Sequence, residues 1–132
     1  MTGTALMPVQ AEIGSQLANS DTIIVPSGQP VTLHEVIWNA QGPEGLTLRF
    51  RFLAPQIARD SGTVDFNTAA GDMQALCENY ALPRIAAHGP VPAQVIISLS
   101  DAPVPFGEAR PEATQFFEAF TIKDGNCIWD AF

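Results

Sequence analysis

Positive charge is scarce in this chain. One lysine, Lys123, and five arginines face fourteen carboxylates across 132 residues, for a formal net charge of −8. A chain this acidic repels phosphate backbones and anionic headgroups, which argues against nucleic acid and membrane surfaces as partners. Long apolar runs are missing as well. Nothing approaches the roughly 20 consecutive apolar residues that cross a bilayer as a helix, so no membrane insertion is expected. The two histidines, His34 and His88, lack the spacing of a histidine-based metal centre. His34 reads as a core or rim residue of a strand, and His88 as a cation at a helix C-terminus. Gly-rich phosphate loops, a nucleophile elbow and a calcium-binding loop are all absent, and Ser98 and Ser100 lie in a strand. No cofactor, metal or catalytic residue is therefore assigned. There are only two cysteines, Cys77 and Cys127, too far apart for CxxC redox chemistry or a common zinc motif. A disulfide, two buried thiols and one reactive thiol all remain open.

What is present is best read from residues 114–132. Asp124-Gly125 is a strong two-residue hairpin signal, because a type I′ turn needs positive φ at both central positions. Closing on it pairs Lys123 with Asn126, Ile122 with Cys127, Phe120 with Trp129 and Phe117 with Phe132. One face then carries Phe120, Ile122, Cys127 and Trp129, the other Phe117, Ile128 and Phe132. A hairpin apolar on both faces needs cover from the rest of the chain, and Trp129 is expected in the core.

Residues 1–20 show no periodicity and read as a disordered leader. Asp21–Val25 reads as a first strand, ended by Pro26-Ser-Gly-Gln-Pro30. Val31–Trp38 and Leu46–Leu53 read as the next two, joined by Asn39–Gly45. In the latter, Leu48, Phe50 and Phe52 alternate with Thr47, Arg49 and Arg51. Pairing Trp38 with Leu46 sets Val36 against Leu48, His34 against Phe50 and Glu35 against Arg49. Arg49 and Arg51 then make either an anion-binding face or, more simply, a solvated face of ion pairs. A helix is expected over Thr68–Leu82, with Asn67 as N-cap and Met73, Leu76, Cys77 and Tyr80 as the buried stripe. Asp72, Gln74, Glu78 and Asn79 take its wet side. Pro83 breaks that helix or opens a second one, which Gly89-Pro90 closes. Gln94–Ser100 is apolar on both faces and reads as a central strand. The proline-rich segment that follows carries Asp101, Glu108 and Glu112, acids of the kind that bind calcium or act as a general acid/base pair, although solvated loop acids are the plainer reading.

Val9-Gln10-Ala11 has the small-x-small pattern of a signal-peptidase site, so residues 1–11 resemble a signal-peptide remnant. In an exported chain the disulfide becomes the leading reading of the cysteines. Several blocks are also familiar as a set: Val25-Pro-Ser-Gly-Gln-Pro-Val-Thr-Leu-His-Glu-Val36, Leu48-Arg-Phe-Arg-Phe-Leu-Ala-Pro-Gln-Ile57, Asp72-Met-Gln-Ala-Leu-Cys77, Ile97-Ser-Leu-Ser-Asp101 and Phe116–Phe132. Over about residues 22–132 this set resembles an uncharacterised family of small alphaproteobacterial exported proteins. The resemblance implies a periplasmic or secreted chain (alternatively cytoplasmic) and, because members share both cysteines, a Cys77–Cys127 disulfide. Some relatives carry the label acetolactate synthase, which no thiamine-diphosphate motif in these residues supports.

The fold expected is α+β: one domain over residues 21–132, a mostly antiparallel sheet of about six strands with one main helix on one face, in the order βββαβββ. The function expected is a small exported binding or accessory protein acting through a surface on a protein or small-molecule partner. A hydrolase-type or calcium-dependent protein using Asp101, Glu108 and Glu112 is the alternative, and a regulatory subunit of a cytosolic enzyme the third reading. The candidate surface comprises those three acids with Arg49 and Arg51.

Overall fold

A computed structural model describes residues 15–17, 21–42, 45–88 and 91–130. Its single sheet runs in sequence order: β1 (Ser15–Leu17), β2 (Thr32–Gly42), β3 (Gly45–Leu53), β4 (Gln94–Ser100), β5 (Gln115–Lys123) and β6 (Asn126–Asp130). Five of these are full strands, one fewer than expected, and β1 is a three-residue strip along the edge of β2. The strand expected at Asp21–Val25 is reduced to an isolated bridge, Ile23 to Val31, with Ile24 exposed. Prolines at 26 and 30 explain this, since each removes a donor from any longer ladder. The rest of the 1–20 leader, the Val9–Ala11 pattern, Gly89-Pro90 and Phe132 lie outside the described residues.

The sheet is mixed. β3 and β4 run parallel, while the other neighbours are antiparallel. Parallel neighbours need a long crossover, and residues 54–93 supply it, carrying the helical layer across one face of the sheet. β4 is central, and its Val95, Ile97 and Leu99 are fully buried beneath that layer with Phe50, Phe52 and Phe120.

The helix departs from its expected form at both ends. α1 spans Phe66–Ala75, and its N-cap is Asp65, not Asn67: the Asp65 carboxylate accepts the Thr68 N–H at 2.9 Å. That backbone bond, chiefly, holds the Asp65 carboxyl below its ordinary pKa. Leu76–Ala81 then widens into a π-helical turn before α2, Leu82–His88. Pro83 explains the widening, because it has no N–H to give and its ring would crowd the carbonyl four residues back. The Leu82 N–H accordingly reaches five residues back to the Cys77 carbonyl, and the helix continues through the proline. The side chain of His88 lies outside the described residues.

Met73, Leu76, Cys77 and Tyr80 form the buried stripe as their spacing predicts. Asp72 does not take the wet side. It is fully buried, accepting from the Ser27 N–H (2.9 Å), the Ser27 hydroxyl (2.6 Å) and the Gln29 side-chain amide (2.8 Å). The Pro26–Pro30 turn folds over this helix face and supplies neutral donors for a carboxylate that would otherwise be costly to bury.

The terminal hairpin pairs Lys123 with Asn126, Ile122 with Cys127 and Phe120 with Trp129, in the expected register. Asp124 and Gly125 both have positive φ, 54° and 76°. Its cover is less complete than expected. Phe117 and Ile128 are about half exposed on one face, and Trp129 is 56 % exposed on the other, so Trp129 is not a core residue. The helical layer reaches Cys127 but leaves the far end of β6 open. A Cys77–Cys127 disulfide, with Cα atoms 6.2 Å apart, fastens β6 to the π-helical turn. Around it Gln74 donates to the Cys127 carbonyl at 2.9 Å, and the Cys127 N–H donates to Glu78 at 3.2 Å.

Candidate functional site

Alternation along β3 sends Leu48, Phe50 and Phe52 toward the helices and Arg49 and Arg51 to the opposite face. The register with β2 is offset by two residues from the expected one: Val36 lies against Phe50 and Glu35 against Arg51. The strands run on to a Gly42–Gly45 pairing, so the connection is shorter than the expected Asn39–Gly45 loop. A shift of two preserves the faces and changes only the partners. His34 sits at a β-bulge between the Leu33 and Glu35 pairs, not opposite Phe50.

Arg51 is not solvated. It is 6 % exposed, ion-paired with Glu35, and it donates to the Val104 carbonyl at 2.6 Å. Val104 belongs to the proline-rich segment, which folds back over this face as a closed loop. At its base the Asp101 N–H donates to the Thr114 carbonyl and the Asp101 carboxylate accepts the Thr114 N–H, each at 3.0 Å. Near the same end, Arg59 donates from its side chain to the Pro111 carbonyl at 2.6 Å and from its backbone N–H to the Thr114 hydroxyl at 3.1 Å. Within it, the Glu108 N–H closes a turn onto the Pro105 carbonyl, and Gly107 takes the positive φ (88°) that a type II turn requires. That turn holds the half-exposed Phe106 ring over both guanidinium groups, with ring centroid distances of 5.1 Å to Arg49 and 5.5 Å to Arg51.

Arg49 is the unusual member. It is half-buried, and among the described residues it has neither a hydrogen bond nor an ion pair. Burial, and then the neighbouring Arg51 charge, lower its pKa from the ordinary arginine value. It lines a cleft of about 150 Å³ with Ser98, Phe106, Glu108, Gln115 and Phe117. A half-buried guanidinium stacked on an aromatic ring suits a carboxylate or phosphate group, held by the planar fork while an attached apolar body lies on Phe106.

Arg49, Arg51 and Glu108 therefore share one cleft. Glu108 also pairs with Arg110 at 3.0 Å. Asp101 instead closes the loop base, and Glu112 is exposed elsewhere on the loop. Among the described residues no group of three or more His, Cys, Asp or Glu could hold a metal ion. Phe106 was not singled out from the sequence, although Pro105-Phe106-Gly107 carries the turn signal that presents its ring. Glu118 and the exposure of Trp129 were missed too, because a glutamate between phenylalanines gives no pattern of its own.

Among the described residues no helix is long and apolar enough to cross a membrane. No curated protein and no solved structure matches the chain. One family pattern spans residues 5–132, nearly the whole chain and every element described above, and on that match the chain belongs to DUF6497, a family of unknown function.

Proposed function

We propose that this is a small exported binding or accessory protein, periplasmic in a Gram-negative cell, that holds an anionic group of its partner in the Arg49–Phe106 cleft. The observation that carries the reading is Arg49: a half-buried guanidinium over an aromatic ring, with no carboxylate of its own among the described residues. Leaving a charge partly desolvated and unpaired is unfavourable, and an incoming anion removes that penalty. The disulfide supports export, since such bonds persist in oxidising compartments.

The test is a pull-down with tagged protein from the periplasm, wild type beside Arg49→Gln, together with cell fractionation. A partner captured by the wild type and lost with Arg49→Gln supports the site. Capture indifferent to Arg49→Gln moves the binding surface elsewhere, and a chain found only in the cytosolic fraction overturns export.

A further inference from the structure

A second cleft lies on the other face of the sheet, between α1 and β6. The disulfide and the Gln74 and Glu78 bonds pin β6 to the helical layer at one end. Toward the N-terminus of α1 the two elements diverge, leaving a groove of about 360 Å³ lined by Phe66, Ala70, Gln74, Glu118, Phe120 and Trp129, within the size range of small-ligand pockets. Phe66 and Trp129 flank it, 43 % and 56 % exposed, and Phe66 is held edge-on against Phe116 with ring centroids 5.1 Å apart.

Glu118 is the anomaly in this groove. It lies on the apolar face of β5, opposite Ile97 and between Phe116 and Phe120, and is only 9 % exposed. Its Oε1 accepts the indole N–H of Trp129. Among the described residues Oε2 has no hydrogen bond, and no arginine, lysine or histidine pairs with the carboxylate. A nearly buried carboxylate on an apolar face is costly without a counter-charge. Its single donor also fixes the indole beside it, so negative charge and aromatic surface converge on one space. That is the chemistry of a cage for organic cations, in which a carboxylate supplies charge and ring faces supply cation–π attraction. The net charge of −8 favours a cation at long range as well.

We infer that the Glu118–Trp129–Phe66 groove binds an alkylammonium ion, either a small free amine or a lysine side chain of a partner. This site is independent of the Arg49 cleft, which faces the opposite way. The test uses full-length, disulfide-intact protein carrying Trp38→Phe, so that Trp129 alone reports. That substitution is mild, since the Trp38 indole N–H is buried without a partner. Choline and n-butylammonium are titrated while Trp129 emission is followed, beside the neutral carbon isostere of choline. Saturable quenching by either cation is expected, weaker by about tenfold or more for the neutral isostere and for choline on Glu118→Gln. A preference for choline identifies a free quaternary amine as the source. A preference for butylammonium identifies a primary ammonium, which is a lysine side chain if Nα-acetyl-lysine amide binds as well as butylammonium and a small free amine if it does not. Equal binding of the neutral isostere, no loss in a folded Glu118→Gln, or no saturable change with either cation overturns the inference. If Glu118→Gln fails to fold, the choline-to-isostere comparison on the unsubstituted groove decides alone.

Discussion

Asp72 is a fully buried carboxylate, and Trp129 is an indole more than half exposed. The Asp72 carboxylate accepts three neutral donors from Ser27 and Gln29 and, among the described residues, has no ion-pair partner. Asp72→Asn keeps its shape but removes the charge. The Ser27 hydroxyl and a flipped Gln29 amide, whose Oε1 is buried without a partner among the described residues, can turn to accept from the new amide, yet the charge assistance of all three bonds is lost. Bonds to a charged acceptor contribute about 1.5–3 kcal/mol, so a loss of roughly 2–3 kcal/mol is expected in chemical denaturation. A loss below about 0.5 kcal/mol, the size of an ordinary surface change, would mean the Ser27–Gln29 contacts are not made in solution. For Trp129→Ala the expectation runs the other way. The ring is 56 % exposed, so truncation should cost about 1–2 kcal/mol, the loss of the one donor to Glu118 included, short of the roughly 3–5 kcal/mol of a buried aromatic. A loss in the larger range would place the indole in the core after all.

The helical layer and the terminal hairpin are separate in sequence and joined by one covalent bond. The Cys77–Cys127 link closes a loop of 50 residues. In the chain-entropy account that stabilises the fold by about 4 kcal/mol. The double substitution Cys77→Ala, Cys127→Ala should lower the unfolding free energy by an amount of this order, and unfolded, unreduced protein from an oxidising compartment should titrate no free thiol. Two titratable thiols would remove the bond and weaken the case for export. The same link sets the spacing of α1 and β6, so alkylammonium binding at Glu118 should weaken along with it.

At the scale of the whole molecule, helices cover one face of the sheet and, among the described residues, the 101–114 loop covers part of the other. The proposed sites follow from that imbalance, one under the loop and one where the helical layer ends. The domain is proposed to comprise residues 21–132, with 1–20 a leader that adds little to the core. Among the described residues, the β1 strip pairs with Glu35–Ile37 of β2 alone. Deleting residues 1–20 should therefore shift Tm by about a degree or two. A drop of about 10 degrees or more would make β1 integral to the sheet and overturn that boundary.

Local rules carried the sequence reading a long way. Asp124-Gly125 specified the β5–β6 register, because a two-residue turn leaves no freedom in what pairs with what. The alternation of β3 put Arg49 and Arg51 on one face, and the period of α1 named its buried stripe, because side-chain direction is set by backbone geometry alone. Tertiary structure decided what each face met. The parallel pairing of β3 and β4, the burial of Asp72 under a turn 45 residues away, the Glu35–Arg51 pair and the opening beside Trp129 all depend on contacts between distant segments. Periodicity tells a residue which way to face, and only the packed chain determines whether a hydrophobic layer, a hydrogen-bond donor or open water lies in that direction.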